Sequence, residues 1–280
     1  MQTKEKKEFF LMKEYLTRSN ISYFSIGSGR PIIFLHGLSL DKQSTCLFFE
    51  PLSNVGQYQR IYLDLPGMGN SDPISPSTSD NVLETLIEAI EEIIGARRFI
   101  LYGHSYGGYL AQAIAFHLKD QTLGVFLTCP VITADHSKRL TGKHINILEE
   151  DINPVENKEY FADFLSMNVI INNQAWHDYQ NLIIPGLQKE DKTFIDQLQN
   201  NYSFTFEEKL KNINYQFPFK IMVGRNDQVV GYQEQLKLIN HNENGEIVLL
   251  NRTGHNLMID QREAVGFHFD LFLDELNSNN

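Results

Sequence analysis

A chain that passes straight from a buried strand into a helix through a serine set between glycines has few architectures open to it, and residues 98–119 do this. Phe99-Ile100-Leu101-Tyr102 is an apolar run, and Gly103-His104-Ser105-Tyr106-Gly107 follows without a spacer. Leu110, Ala113, Ile114 and Leu118 then recur at helical spacing, with alanines at 111, 113 and 115 that permit close packing on a sheet. So tight a reversal crowds the positions two before and two after its apex, and Gly103 and Gly107 read as sites where a Cβ would clash. The apex residue, Ser105, presents its hydroxyl at a helix N-terminus, where unpaired N–H groups and the helix dipole favour developing negative charge. The same five residues also describe an ordinary turn with a serine N-cap, so the rest of the chain has to decide between them.

The 280 residues, 42% hydrophobic and 21% charged, suit one compact core with room for a substantial insertion. A net charge of -11, with no basic block to offset it, argues against nucleic acid and anionic membrane surfaces as partners, and neither is expected. Cys46 and Cys129 fall in apolar segments without metal-ligand spacing and read as core thiols. The apolar run Phe9 to Met12, closed by Lys13 and Glu14, is too short for a signal peptide or a membrane span, so a soluble, cytoplasmic protein is expected. Oligomeric state leaves no mark in the sequence.

Along the chain, Met12 to Arg18 and Ile21 to Ile26 read as a hairpin turning at Ser19-Asn20. Pro31 to Leu35 is a continuous apolar strand that ends in His36-Gly37-Leu38, and Gln59 to Leu65 is another. A helix is expected over Ser44 to Leu52. The segment Asp64-Leu65-Pro66-Gly67-Met68-Gly69-Asn70-Ser71-Asp72 is turn chemistry. Val82, Leu83, Leu86, Ile87, Ile90, Ile93 and Ile94 form one helical stripe, with Ser79 or Asp80 as N-cap and Gly95 as stop. Leu123 to Cys129 closes the alternating series, which implies a mostly parallel central sheet with helices on both faces. From Val131 to Tyr215 the pattern is lost; helix-like runs such as Tyr160 to Ile171 and Phe194 to Leu198 suggest a helical insertion over the end of the sheet. Strands resume at Phe219 to Val223 and Glu246 to Leu250, and a last helix is expected from Asp260 to Leu276.

A serine hydroxyl is a weak nucleophile at neutral pH and needs a base, which in turn needs a carboxylate to orient it. In a parallel sheet all carboxyl ends face one way and ligands bind there. Asp227 follows one late strand in Gly224-Arg225-Asn226-Asp227, and His255 follows the next in Thr253-Gly254-His255, so both project on the side of Ser105. Asp135, after the preceding strand, is the alternative acid.

Four pieces in this order resemble the α/β-hydrolase fold family: His36-Gly37, Asp64-x-x-Gly67-x-Gly69-x-Ser71, Gly103-x-Ser105-x-Gly107, and Asp227 with His255. The resemblance covers most of the chain outside the insertion. It implies an α/β fold divided into a first core part (1–130), a mainly helical cap (131–215) and a second core part (216–280). It makes Ser105 the nucleophile, His255 the base and Asp227 its orienting acid, with the backbone N–H groups of Leu38 and Tyr106 as oxyanion hole. The activity it implies is hydrolysis of a small ester, thioester or lactone through an acyl-enzyme. The partner is then a small-molecule acyl substrate, with no cofactor and no metal ion. A carbon–carbon bond hydrolase, an aminopeptidase, or a ligand-binding module that keeps the triad as pocket lining are the alternatives. Serine in place of aspartate at the corner disfavours the haloalkane dehalogenase and epoxide hydrolase chemistries. His36-Gly37-Leu38-Ser39 lacks the further glycines of hormone-sensitive-lipase relatives and the Gly-Gly-Pro-Gly of proline iminopeptidases.

Overall fold

The computed structural model describes residues 12–52 and 54–278; of the apolar run Phe9 to Met12, only Met12 lies within them. Eight strands form one sheet in the order β1-β2-β4-β3-β5-β6-β9-β10. The first pair, β1 (Glu14–Leu16) and β2 (Ser22–Ile26), is antiparallel and turns through Asn20 at φ 57°. From β4 (Tyr58–Leu63) and β3 (Arg30–Leu35) through β5 (Phe99–His104), β6 (Thr122–Thr128), β9 (Phe219–Gly224) and β10 (Gly245–Leu250) the pairing is parallel. The continuous apolar runs are the strands buried on both faces, as parallel sheets require.

The sheet reverses its direction of growth between β3 and β5, because β4 leaves on one side of β3 and β5 pairs on the other. Leu35 and Gly103 are in register there, so the loop carrying Leu38 and the corner carrying Ser105 emerge side by side. Such a switch point is where a parallel sheet opens a crevice.

Helices α1 (Lys42–Phe49), α2 (Ser79–Ile94) and α3 (Tyr106–His117) cover the sheet. The N-cap of α2 is Thr78, one residue before the expected Ser79 or Asp80. Its hydroxyl accepts from Asn81 N–H, while Ser79 turns inward to Tyr106 Oη and the Tyr202 carbonyl. Gly95 ends the helix as expected.

Between β6 and β9 lies a helical insert. Its elements are a short β7 (Ile147–Leu148), α4 (Phe161–Met167), β8 (Ile170–Ile171), α5 (Asn173–Leu182), α6 (Ile184–Lys189), α7 (Lys192–Asn200) and α8 (Glu207–Lys211). The run Tyr160 to Ile171 is therefore not one helix: α4 stops at Met167, and Ile170–Ile171 pairs in parallel with β7. Phe161 and Phe164 meet Trp176 at ring-centroid distances of 5.3 and 5.2 Å, which places these three rings in the core of the insert. The insert rests directly on the sheet domain, for a Cβ on Gly186 of α6 would lie 2.5 Å from Leu40 Cα. After β9 come α9 (Gln233–Asn240), α10 (Leu257–Asp260) and α11 (Arg262–Ser278). The expected last helix is present as α11, starting two residues later than Asp260, and Gln261, where φ is -141°, separates it from the short α10. No described helix is long and apolar enough to cross a membrane.

Candidate active site

Ser105 caps α3 at φ 51° and ψ -113°, a backbone conformation that a side chain rarely adopts. A Cβ on Gly103 would come within 2.4 Å of Gly107 O, and one on Gly107 within 2.3 Å of His36 O, so both glycines are forced by the turn. The corner is held by Ser105 N–H donating to Thr128 O and by Val131 N–H donating to Ser105 O.

Ser105 Oγ lies 2.9 Å from His255 Nε2, and His255 Nδ1 lies 2.9 Å from Asp227 Oδ2. Three side chains from distant parts of the sequence therefore form one chain of hydrogen bonds, all of them buried. The other carboxylate oxygen of Asp227 accepts from Val229 and Val230 N–H at 2.8 and 2.9 Å. Burial alone pushes the Asp227 carboxyl up; His255 and those two N–H groups outweigh it and hold the group below the ordinary aspartate value. Asp135 is exposed, paired with Lys138 at 3.0 Å and bonded to Ser137, and takes no part.

Two further histidines brace the loops. His36 Nδ1 donates to Gly37 O at 2.7 Å and Nε2 accepts from Leu65 N–H at 3.0 Å. His104 Nδ1 faces Thr128 O at 3.1 Å, and its ring stands 5.1 Å from that of His255. Burial, with His255 second, pushes His104 down to about 3, so it adds no charge beside His255 at neutral pH. Asp64 is structural: it accepts from buried Lys42 Nζ at 2.6 Å and from Asn70 N–H at 2.8 Å.

The Leu38 loop lies against the corner, since a Cβ on Gly37 would be 3.4 Å from Ser105 Cβ. Tyr106 is the first residue of α3, and the first N–H groups of a helix have no partner within it. Leu38, Ser105 and His255 border a cavity of about 230 Å³. Its walls include Leu40 and Val229 from the core and Val131, Met167, Ile183 and Leu187 from the insert. Of the insert's aromatic residues, Tyr179 and Tyr202 reach this cavity.

Three residues near the site carry no sequence motif. Arg139 lines the cavity and spends its guanidinium on main-chain acceptors, Thr133 O at 2.8 Å, Ala134 O at 3.0 Å and Val229 O at 3.3 Å. Cys129, at φ 43°, places its sulfur among the ligand atoms of Asp227 and His255, all within 4.8 Å of one another. Burial and Asp227 keep that thiol well above its usual pKa. Asp260 lies five residues after His255, and an acidic residue closing the apolar stretch Leu257-Met258-Ile259 was its only signal.

A serine at a strand-to-helix corner, followed in the chain by an acid and then a histidine on the ends of later parallel strands, defines the α/β-hydrolase arrangement. Residues 32–266 match the sequence pattern of the Alpha/beta hydrolase family, and the chain belongs to that family. It is 24% identical over 275 residues to a proline iminopeptidase of Saccharolobus solfataricus, covering 91% of this chain and 88% of the relative. A shorter stretch of 108 residues is 32% identical to the pimeloyl-[acyl-carrier protein] methyl ester esterase of Shewanella woodyi and spans 38% of either chain. Among solved structures, the esterase RhEst1 from Rhodococcus sp. ECU1013 superposes with a TM-score of 0.73 at 18% identity, over 95% of this chain and 99% of that one.

Proposed function

We propose that the protein is a serine hydrolase that cleaves a small ester, thioester or lactone through an acyl-enzyme. The observation that carries this reading is the pair of 2.9 Å contacts linking Ser105, His255 and Asp227. His255 Nε2 takes the Ser105 proton as Oγ attacks the carbonyl carbon, then delivers it to the leaving oxygen or sulfur. In the second half the same nitrogen deprotonates the water that releases the acid. Asp227 keeps Nε2 free to accept by fixing the proton on Nδ1. The N–H groups of Leu38 and Tyr106 receive the oxyanion at the helix end. We read residues 131–215 as a cap whose inner side supplies the far wall of the acyl pocket. A cavity of about 230 Å³ suits a short acyl group. Two free, buried cysteines fit a cytoplasmic enzyme.

A fluorophosphonate probe tests the reading. Rapid labelling of Ser105, lost in Ser105→Ala, supports it; a folded protein that is not labelled makes the chain a binding module. An aminopeptidase is the second reading, favoured by the near full-length likeness to a proline iminopeptidase and by Asp163, a carboxylate on the cavity wall that could meet a substrate ammonium. Faster turnover of aminoacyl p-nitroanilides than of p-nitrophenyl acetate would select it.

A further inference from the structure

Asp260 stands outside the hydrogen-bond chain from Ser105 to Asp227, yet its side chain is buried beside it, with 8% of the residue exposed. Three main-chain N–H groups converge on the carboxylate. Val169 and Ile170 of the insert donate to Oδ1 at 3.0 and 2.9 Å, and Gly254 donates to Oδ2 at 2.8 Å. Gly254 immediately precedes His255. On the other flank, Asn256 Nδ2 donates to Asn168 Oδ1 at 2.9 Å. The peptide bearing the imidazole is thus tied on both sides to residues 168–170 of the insert, and one carboxylate gathers most of the ties.

We infer that Asp260 is a positioning residue, whose carboxylate fixes the Gly254–His255 peptide to residues 168–170 so that His255 meets Ser105 only while the insert is seated. This rests on the serine-hydrolase reading above.

The charge on Asp260 fits the role. Burial pushes its carboxyl up to about 6, against the Ile170, Gly254 and Val169 N–H groups and His144, which pull it down. A carboxyl raised on folding favours the folded state below the ordinary aspartate value, and that contribution is lost as pH rises through about 6. At neutral pH the chain therefore keeps this carboxylate ionised in a buried seat, with three main-chain N–H groups turned to it. The titratable groups facing Asp260 are His144 from the insert and Cys129 beyond β6. On the surrounding helices Asp163 holds the Tyr179 hydroxyl, and Arg262 pairs with Asp178 at 3.8 Å.

The test is the rate of Ser105 labelling by a fluorophosphonate, from pH 8 to pH 5, in the wild type, Asp260→Asn and Asp260→Glu. Asparagine mimics the protonated acid. At pH 8 it should slow labelling on the order of tenfold through misplacement of His255. The deficit should close below the Asp260 titration, where the wild type is neutral as well. Glutamate, which keeps the charge, should recover much of the rate at pH 8. A deficit of equal size at every pH, or none at pH 8, overturns the inference. Should the asparagine variant not fold, the wild type decides: the Val169, Ile170 and Gly254 amide resonances must move together as the Asp260 carboxyl takes up its proton below neutral pH. An amide that does not move overturns the inference. A wild type that is not labelled at all sinks the serine-hydrolase reading instead, whereas normal labelling without any Asp260 effect sinks only the positioning role.

Discussion

The corner at Ser105 and the insert above it border the same cavity and are built on opposite terms. Around the corner nearly every residue is fixed by close contact: Gly103 and Gly107 have no room for a Cβ, and helix α3 is buried from Tyr106 through Ala115. The insert consists of short, polar helices, each holding a few apolar side chains inward, such as Phe194, Ile195 and Leu198 of α7. The contrast leads us to propose that chemistry and selectivity draw on different residues. The sheet domain carries Ser105, Asp227 and His255, residues 168–170 of the insert brace the His255 peptide, and the insert's other wall residues are left to shape the pocket.

The sharpest way to break this division is to remove the corner's own groups. Ser105→Ala or His255→Ala should each lower kcat by on the order of 10⁶, measured on p-nitrophenyl acetate. Asp227→Ala should lower it by about 10⁴, and Asp135→Ala should leave it unchanged. Full activity without Asp227 would move the acid to another loop. Because the folded protein holds Asp227 below its ordinary value, its ionisation stabilises the fold above about pH 4, and the benefit is lost as pH falls through the lowered value. Thermal melts of the wild type and Asp227→Asn should therefore draw together in strong acid.

Substitutions in the insert sharpen the other side of the comparison. Ile183→Ala or Leu187→Ala should shift preference along a series of acyl esters toward longer chains, by about tenfold in kcat/KM. If either changed kcat for every ester as much as loss of Asp227, the division of labour would be wrong. The smallest effect should come from the core helix α2: Thr78→Ala removes its N-cap and should cost about 1 kcal/mol in denaturant unfolding, with kcat unchanged.

The sequence was most legible where burial is complete. Ile32 to Leu35 and Phe99 to Tyr102 are apolar because both faces of their strands are covered, and the order of Ser105, Asp227 and His255 follows from the strands they end. Legibility failed where a distant partner decides the local structure. The Val169 and Ile170 amides turn to Asp260, so the chain after α4 runs on as a strand, and at the other end of the same contact the short helix Leu257–Asp260 precedes the last helix without a period of its own to mark it. Helix α5 escaped notice because its first residues, Asn173 and Gln174, are polar and its inner face is only Ala175, Trp176, Tyr179 and Leu182. The strands β7 and β8, of two residues each, are too short to show a period.

The seat of Gly186 on Leu40 sets the room in which this protein can drift toward a new substrate. Two main chains in contact leave nothing to trim, and any larger residue at 186 must lift the whole roof away from the strand end beneath it. Ile183 and Leu187, three residues before it and one after, border the hollow without that main-chain contact. A lineage of such proteins should therefore diversify in what it accepts by repainting the ceiling, with the height of the ceiling left alone.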